Sequence, residues 1–132
     1  MFSGLTIGLD VVDVGTIEES LERFGGRYLD RVYTPREIAY ALAANDPATR
    51  ARRLAARFAA KEAALKALCA RERGIPPRAI EVVRSDDGSI ALELSGAALA
   101  AARETSAASL SLSVSHEGKL AVAVVICTRV KP

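Results

Sequence analysis

Aromatic side chains, histidine and cysteine are all scarce in this chain. Among its 132 residues there is no Trp, with three Phe, three Tyr, one His and two Cys. So few aromatics leave little to stack on unpaired bases, and no recognisable nucleic-acid motif is present, so no nucleic-acid partner is expected. The net charge of +2 is also too small to call for a polyanionic partner by itself. Cys69 and Cys127 are isolated, without metal-ligand spacing or a disulfide framework, which suits a reducing compartment. Long apolar runs are missing too. The longest, "LAVAVVI" at 120–126, is far too short to span a bilayer. The first residues, "MFSGLTIGLDVVDV", have no basic start, and Asp10 and Asp13 interrupt them, unlike a secretory signal. What remains is a cytoplasmic protein with no membrane partner.

What is present is globular. Half the residues are apolar and 26% are charged, and the length suits a single domain, 1–132, with one core. Of 18 basic residues only Lys61, Lys66, Lys119 and Lys131 are lysine. Arg grips phosphate or carboxylate through a planar fork, although abundant Arg beside abundant Ala also follows from codon bias.

Strand and helix signals alternate without a regular repeat. "LTIGLDVV" reads as a strand with Asp10 near its end. A helix follows from Thr16, with Thr16 and Glu19 at capping-box spacing, and stops at Gly25-Gly26. "TPREIAYALAA" starts a second helix, with Thr34 as cap and Pro35 at the first position. A long helix is expected over about 49–72, then a hairpin turning at Asp86-Asp87-Gly88, then an Ala-rich helix from Ser95. "SLSLSVSH" alternates strictly, which puts Leu110, Leu112 and Val114 on one face and Ser111, Ser113 and Ser115 on the other. "KLAVAVVICT" reads as a strand buried on both faces. The class is α+β.

The long helix carries the chemistry. At about 100° per residue, Leu54, Phe58, Leu65 and Leu68 form an apolar stripe. Glu62 and Lys66 share one border of it, and Arg50, Arg53 and Arg57 share the other. From spacing alone, Glu62 and Lys66 are most simply a helix ion pair, and the arginines a solvated face. Asp10 is most simply a turn residue, but it could join Glu62 as a hard-oxygen ligand for Mg²⁺. His116, the sole histidine, ends a strand beside a glycine turn.

Taken in chain order, "IGLDVVDV", "RFAAKEAALKAL" and "SLSVSH" before "AVAVVI" resemble holo-acyl-carrier-protein synthase, the short single-domain type of 4′-phosphopantetheinyl transferase. The resemblance covers essentially the whole chain. It implies an antiparallel sheet packed with a long central helix, in a homotrimer with active sites between subunits. It implies transfer of phosphopantetheine from coenzyme A to a serine of an apo acyl carrier protein or carrier domain, with Mg²⁺. Asp10 and Glu62 match the metal ligands, and Lys66 matches the lysine at the diphosphate. Asp10, Glu62 and Lys66 are thus the catalytic set, with Glu62 or a metal-bound water deprotonating the serine. His116 lines the coenzyme site with Ser113 and Ser115 beside it, and Arg53 and Arg57 hold the 3′-phosphate or serve a neighbouring subunit. Arg23, Arg27 and Arg31 match basic carrier-docking positions.

Two departures from the family pattern stand out. Thr16 replaces a docking Arg and is followed by Glu18, Glu19 and Glu22, which points away from the usual fatty-acid carrier toward a polyketide or other specialised one. "CARERG" replaces a Gly-rich turn, with Arg71 or Arg73 then near the coenzyme. The alternative is a non-catalytic carrier-binding relative of the same fold.

Overall fold

The computed structural model describes residues 2–130. Its axis is helix α4, Pro47–Ala67. Asp46 caps this helix by accepting from the Thr49 N–H at 2.8 Å, and Pro47 occupies the first turn, where no amide is needed. Ala51, Ala55, Ala59, Ala60, Ala63, Ala64 and Ala67 are all buried along it. Side chains this small let other elements approach the helix on every side.

Strand β1, Phe2–Asp13, comes closest. A Cβ on Gly8 would lie 1.9 Å from the Ala63 carbonyl oxygen, so only glycine fits at that crossing. β1 pairs antiparallel with β5, Leu120–Val130, which pairs on its other side with β4, Ala107–Glu117. Register puts Asp10 opposite Ala123 and His116 opposite Ala121. The face toward α4 carries Gly8, Asp10 and Val12 of β1, Ala121, Ala123, Val125 and Cys127 of β5, and Leu110, Leu112, Val114 and His116 of β4. The serines of β4 lie on the opposite face, as the alternation requires.

A second sheet is the hairpin of β2, Ile80–Arg84, and β3, Ile90–Leu94. Its turn ends at Gly88, whose φ of +89° favours glycine. Helix α3, Pro35–Leu42, begins with a full capping box of Thr34 and Glu37. Helix α5, Gly96–Glu104, follows Ser95. One cluster of buried residues runs through all these elements, with Leu54 and Leu68 fully buried and Phe58 and Leu65 packed against it.

Several sequence expectations need correction. Helix α1, Val14–Phe24, is capped by Asp13, not Thr16. The Asp13 carboxylate accepts from the Gly15 N–H at 2.7 Å, and Thr16 Oγ1 donates to the Asp13 carbonyl within the first turn. α1 does stop at Gly25-Gly26, as expected, but a further helix follows at once. Gly25 turns the chain at φ +53° into helix α2, Gly26–Val32. α4 ends at Ala67 rather than near Glu72, because Cys69 adopts φ +57°.

The largest departure is β5, which is buried on one face only. The sheet face away from α4 is open. Leu5, Ile7, Leu9 and Val11 of β1 are each half or more exposed, and Ile126 of β5 is exposed beside them.

Candidate active site

The close packing at Gly8 brings Asp10 to α4. Lys66 Nζ donates to Asp10 Oδ1 at 3.1 Å and to the Leu9 carbonyl at 2.8 Å. Glu62 lies one helical turn before Lys66, where side chains are neighbours about 5–6 Å apart at Cβ. It makes no hydrogen bond or ion pair among the described residues, and it is half-buried. The Lys66–Asp10 pair is partly open, and helical spacing puts Glu62 on the same side of α4.

That donor set suits a hard divalent cation. Mg²⁺ takes one or two carboxylates and fills its remaining positions with water and substrate phosphate. No group of three or more His, Cys, Asp or Glu is placed to form a full protein cage among the described residues. A cation held by Asp10 and Glu62 would keep most of its shell for a ligand.

Lys61, next to Glu62 in sequence, points elsewhere. Its Nζ donates to Glu37 Oε1 at 2.7 Å and to the carbonyls of Ile80 and Pro77 at 2.6 and 3.1 Å. Glu37 also accepts from the Thr34 and Val82 N–H groups at 2.9 Å each. This buried pair pins α3, α4 and β2 together. Burial pulls the Lys61 pKa below its ordinary value, and the Glu37 charge opposes that pull.

Arg53 and Arg57 leave α4 roughly 140–180° around the axis from Glu62 and Lys66. They stack on Tyr40 of α3, with guanidinium carbons 4.3 and 4.1 Å from the ring centroid. Arg57 is 6% exposed, and its Nε has no hydrogen-bond partner among the described residues. Burial lowers its pKa, Tyr40 and Glu37 oppose that, and the Arg84 and Arg53 charges add to it. His116 lines the same depression and donates from Nε2 to the Arg52 carbonyl, 3.2 Å away.

The expected site residues thus fall into separate groups within one chain. Asp10 pairs with Lys66, and Glu62 is one helical turn from Lys66; Arg53, Arg57 and His116 are together on the far side of α4. Ser113 and Ser115 are not beside His116, because adjacent strand residues alternate faces, and both serines lie on the open sheet face. Arg23 stacks over Phe24, while Arg27 and Arg31 line a groove of about 590 Å³ with Phe24 and Tyr28 between α1 and α2. Arg73 pairs with Glu104 of α5, away from these groups. Sequence reasoning missed Lys61, Tyr40 and Arg84. Only Tyr40 carried a signal: it lies three residues after Glu37 and so shares that residue's face of α3.

The chain belongs to the 4′-phosphopantetheinyl transferase superfamily, whose family model matches residues 6–125. Its relatives are more particular. It is 41% identical over 121 residues to a holo-[acyl-carrier-protein] synthase of Desulfovibrio desulfuricans, covering 91% of this chain and 94% of that one. It is 44% identical over 122 residues to a protein of the same name from Carboxydothermus hydrogenoformans, covering 92% and 96%. Among solved structures it resembles an ACPS–CoA complex of Chronobacterium ammoniagenes, with a TM-score of 0.85 and 29% identity, covering 98% of this chain and 100% of that one. A Helicobacter pylori holo-[acyl-carrier-protein] synthase in complex with coenzyme A matches with a TM-score of 0.76 at 30% identity, covering 92% and 98%.

Proposed function

We propose that this chain transfers the 4′-phosphopantetheine group of coenzyme A to a serine of an apo acyl carrier protein. The observation that carries the reading is the Asp10–Lys66–Glu62 group, set at an open edge in a chain that so closely resembles proteins named for this activity. In the reaction, the serine oxygen bonds to the phosphorus that bears the pantetheine arm. The bond from that phosphorus to the bridging oxygen breaks, and adenosine 3′,5′-bisphosphate leaves.

Asp10 and Glu62 would hold Mg²⁺, which supplies charge neutralisation and orientation at the diphosphate when bound. Lys66 places a positive charge beside negative charge that grows on the phosphoryl oxygens and the leaving group. Glu62, which has no protein partner among the described residues, would take the serine proton.

One chain does not make a whole coenzyme site. The 3′-phosphate and the diphosphate of coenzyme A hang from one ribose, whereas Arg53, Arg57 and His116 lie across α4 from Lys66. A second copy supplies the missing half. The exposed row of Leu5, Ile7, Leu9 and Val11 supports such association, since a contiguous apolar strip on a sheet face is a liability in a monomer. The assembly is a homotrimer, and contact across that open face also gives Ser115 a route to a ligand. The groove holding Arg27 and Arg31, with Arg23 at its edge, receives the carrier. Among the described residues no helix is long and apolar enough to cross a membrane. The compartment we propose, from the family likeness, is the cytoplasm.

The test is to mix the protein with Mg²⁺, coenzyme A and a panel of apo carriers from fatty-acid and polyketide systems, then weigh the carriers. A gain of about 340 Da, the covalent group this chemistry adds, is expected on at least one of them. No gain on any carrier supports the non-catalytic alternative instead.

A further inference from the structure

The row of β5 that faces α4 runs through Ala121, Ala123, Val125 and Cys127, all buried, and ends on a cation, Arg129. Its guanidinium reaches the last turn of α4. The final carbonyls of a helix have no donor within the helix, and a positive charge is favourable there. The Ala67 carbonyl accepts from two side chains, Thr6 Oγ1 of β1 at 2.6 Å and Arg129 Nη2 at 2.8 Å. The same nitrogen lies 3.3 Å from Thr6 Oγ1, and Nη1 donates at 2.6 Å to the carbonyl of Thr105, where α5 ends. One planar fork therefore ties β5 to β1 and to the ends of two helices.

This clip lies on the same strand as half of the candidate site. β1 meets α4 at three places along its inward face. Thr6 is bonded to Ala67, Gly8 lies flush against Ala63 with no side chain to hold it, and Asp10 meets Lys66. Gly8 is thus a pivot with a polar tie on either side. The two ties respond differently to a ligand. Lys66 and Asp10 are the groups that turn to a diphosphate and a cation, and in turning they give up their own bond. Nothing at Thr6, Ala67 or Arg129 has to move. Thr6 precedes Asp10 by four residues, roughly 13 Å of strand, so Arg129 acts on the site only through β1.

Resting on the transfer reading above, we propose that Arg129 is a positioning residue for Asp10: with Thr6 it clips β1 to the end of α4, so the Asp10 carboxylate keeps its place when Lys66 turns to the coenzyme. Groups that hold a metal-binding carboxylate from behind matter because a small misplacement at the reacting centre is costly.

The test measures steady-state transfer against Mg²⁺ and coenzyme A concentration, and Mn²⁺ binding in the presence of coenzyme A by electron paramagnetic resonance. It is applied to the intact protein, Arg129→Leu, Arg129→Lys and Thr6→Val. Arg129→Leu should lower kcat and weaken Mn²⁺ binding by roughly tenfold each, the lower end of what outer-shell losses cost. KM for coenzyme A should stay near the parental value, since the arginines across α4 are untouched. Arg129→Lys returns one donor to the Ala67 carbonyl and should recover part of both losses. Thr6→Val, close in shape but without the hydroxyl, should show a smaller loss of the same kind. Parental kcat and Mn²⁺ affinity in Arg129→Leu overturn the proposal, as does an equal worsening of kcat and KM, which marks a general prop. Should Arg129→Leu not fold, parental behaviour in both Arg129→Lys and Thr6→Val overturns it. If the intact protein modifies no carrier, the transfer reading falls and the Mn²⁺ titrations alone judge Arg129; if it also binds no Mn²⁺, both fall.

Discussion

Lys61 and Lys66 leave the same helix and each meets a carboxylate, yet the two ion pairs have little else in common. The Lys61–Glu37 pair is almost wholly buried, at 2% and 0% exposure, and its atoms are claimed by further partners at Pro77, Ile80 and Val82. The Lys66–Asp10 pair is part-open, at 31% and 19%, with Glu62 unpartnered alongside. A pair with every donor and acceptor satisfied is a joint between elements; a pair with vacant lone pairs and access to solvent is ready for a ligand. Burial, not residue type, separates the two roles. It also explains how Lys61 and Glu62 can be sequence neighbours and serve different ends, since adjacent helical positions point about 100° apart.

The sharpest way to break this comparison is to remove one member of each pair. Glu37→Ala strands the buried Lys61 charge, and losing one partner of such a pair typically costs about 3–5 kcal/mol. Lys66→Ala, at a partly exposed pair, should cost less than about 1 kcal/mol. Urea unfolding of the two variants measures the difference; similar midpoints would erase the distinction between joint and ligand site. The double variant Glu37→Leu with Lys61→Met should recover much of the loss, because apolar substitutes avoid the desolvation penalty.

Activity should follow the opposite order. Glu62→Gln removes a charge that nothing in the fold relies on, so its unfolding midpoint should match the parent. Transfer should nevertheless slow by roughly 100- to 1000-fold, the scale seen when one electrostatic group is lost from a transition state. Near-parental turnover would remove Glu62 from the chemistry and leave the open pair without a function.

Gly8→Ala probes how the open site is held. The added methyl would meet the Ala63 carbonyl, so β1 must lift from α4 and carry Asp10 away from Lys66. Overpacking of this kind costs about 1–3 kcal/mol, and transfer should weaken alongside stability. The stacks of Arg53 and Arg57 on Tyr40, on the other side of α4, should be left as they are, so affinity for adenosine 3′,5′-bisphosphate should not fall. A matching loss of that affinity would show that the two sides of α4 are not independent.

Legibility in the sequence divided along the same line. Helical spacing alone put Glu62 beside Lys66, only the family motif singled out Asp10, and the capping box at Thr34 and Glu37 was visible as a local pattern. Glu37's second role was not, because its partners Lys61 and Val82 are brought to it only by tertiary packing. The seven-residue α2 has no side-chain cap and follows directly on Gly25, a glycine with positive φ, so it reads as a break. β5 is an unbroken apolar run, which signals burial but cannot say whether the cover is this chain or another copy. Arg84 ends a short strand with no periodic partner, so nothing in the sequence ties it to Tyr40.

The smallest effect concerns the end of α4, just beyond both pairs. There the Ala70 N–H reaches the Leu65 carbonyl at 2.9 Å and the Cys69 N–H reaches the Lys66 carbonyl at 3.1 Å, the bonds of a Schellman ending. Such an ending needs a left-handed residue, and Cys69 supplies it at φ +57° although its Cβ disfavours that region. The "CARERG" segment therefore keeps the backbone path of a glycine turn without the glycine. Cys69→Gly should raise stability by up to about 1 kcal/mol by relieving that strain, less the entropy glycine adds to the unfolded chain. Its midpoint should rise slightly, with Lys66 and transfer left as they are. A fall in stability would mean that contacts of the Cys69 sulfur, such as the 3.8 Å approach of Arg129, outweigh the backbone term.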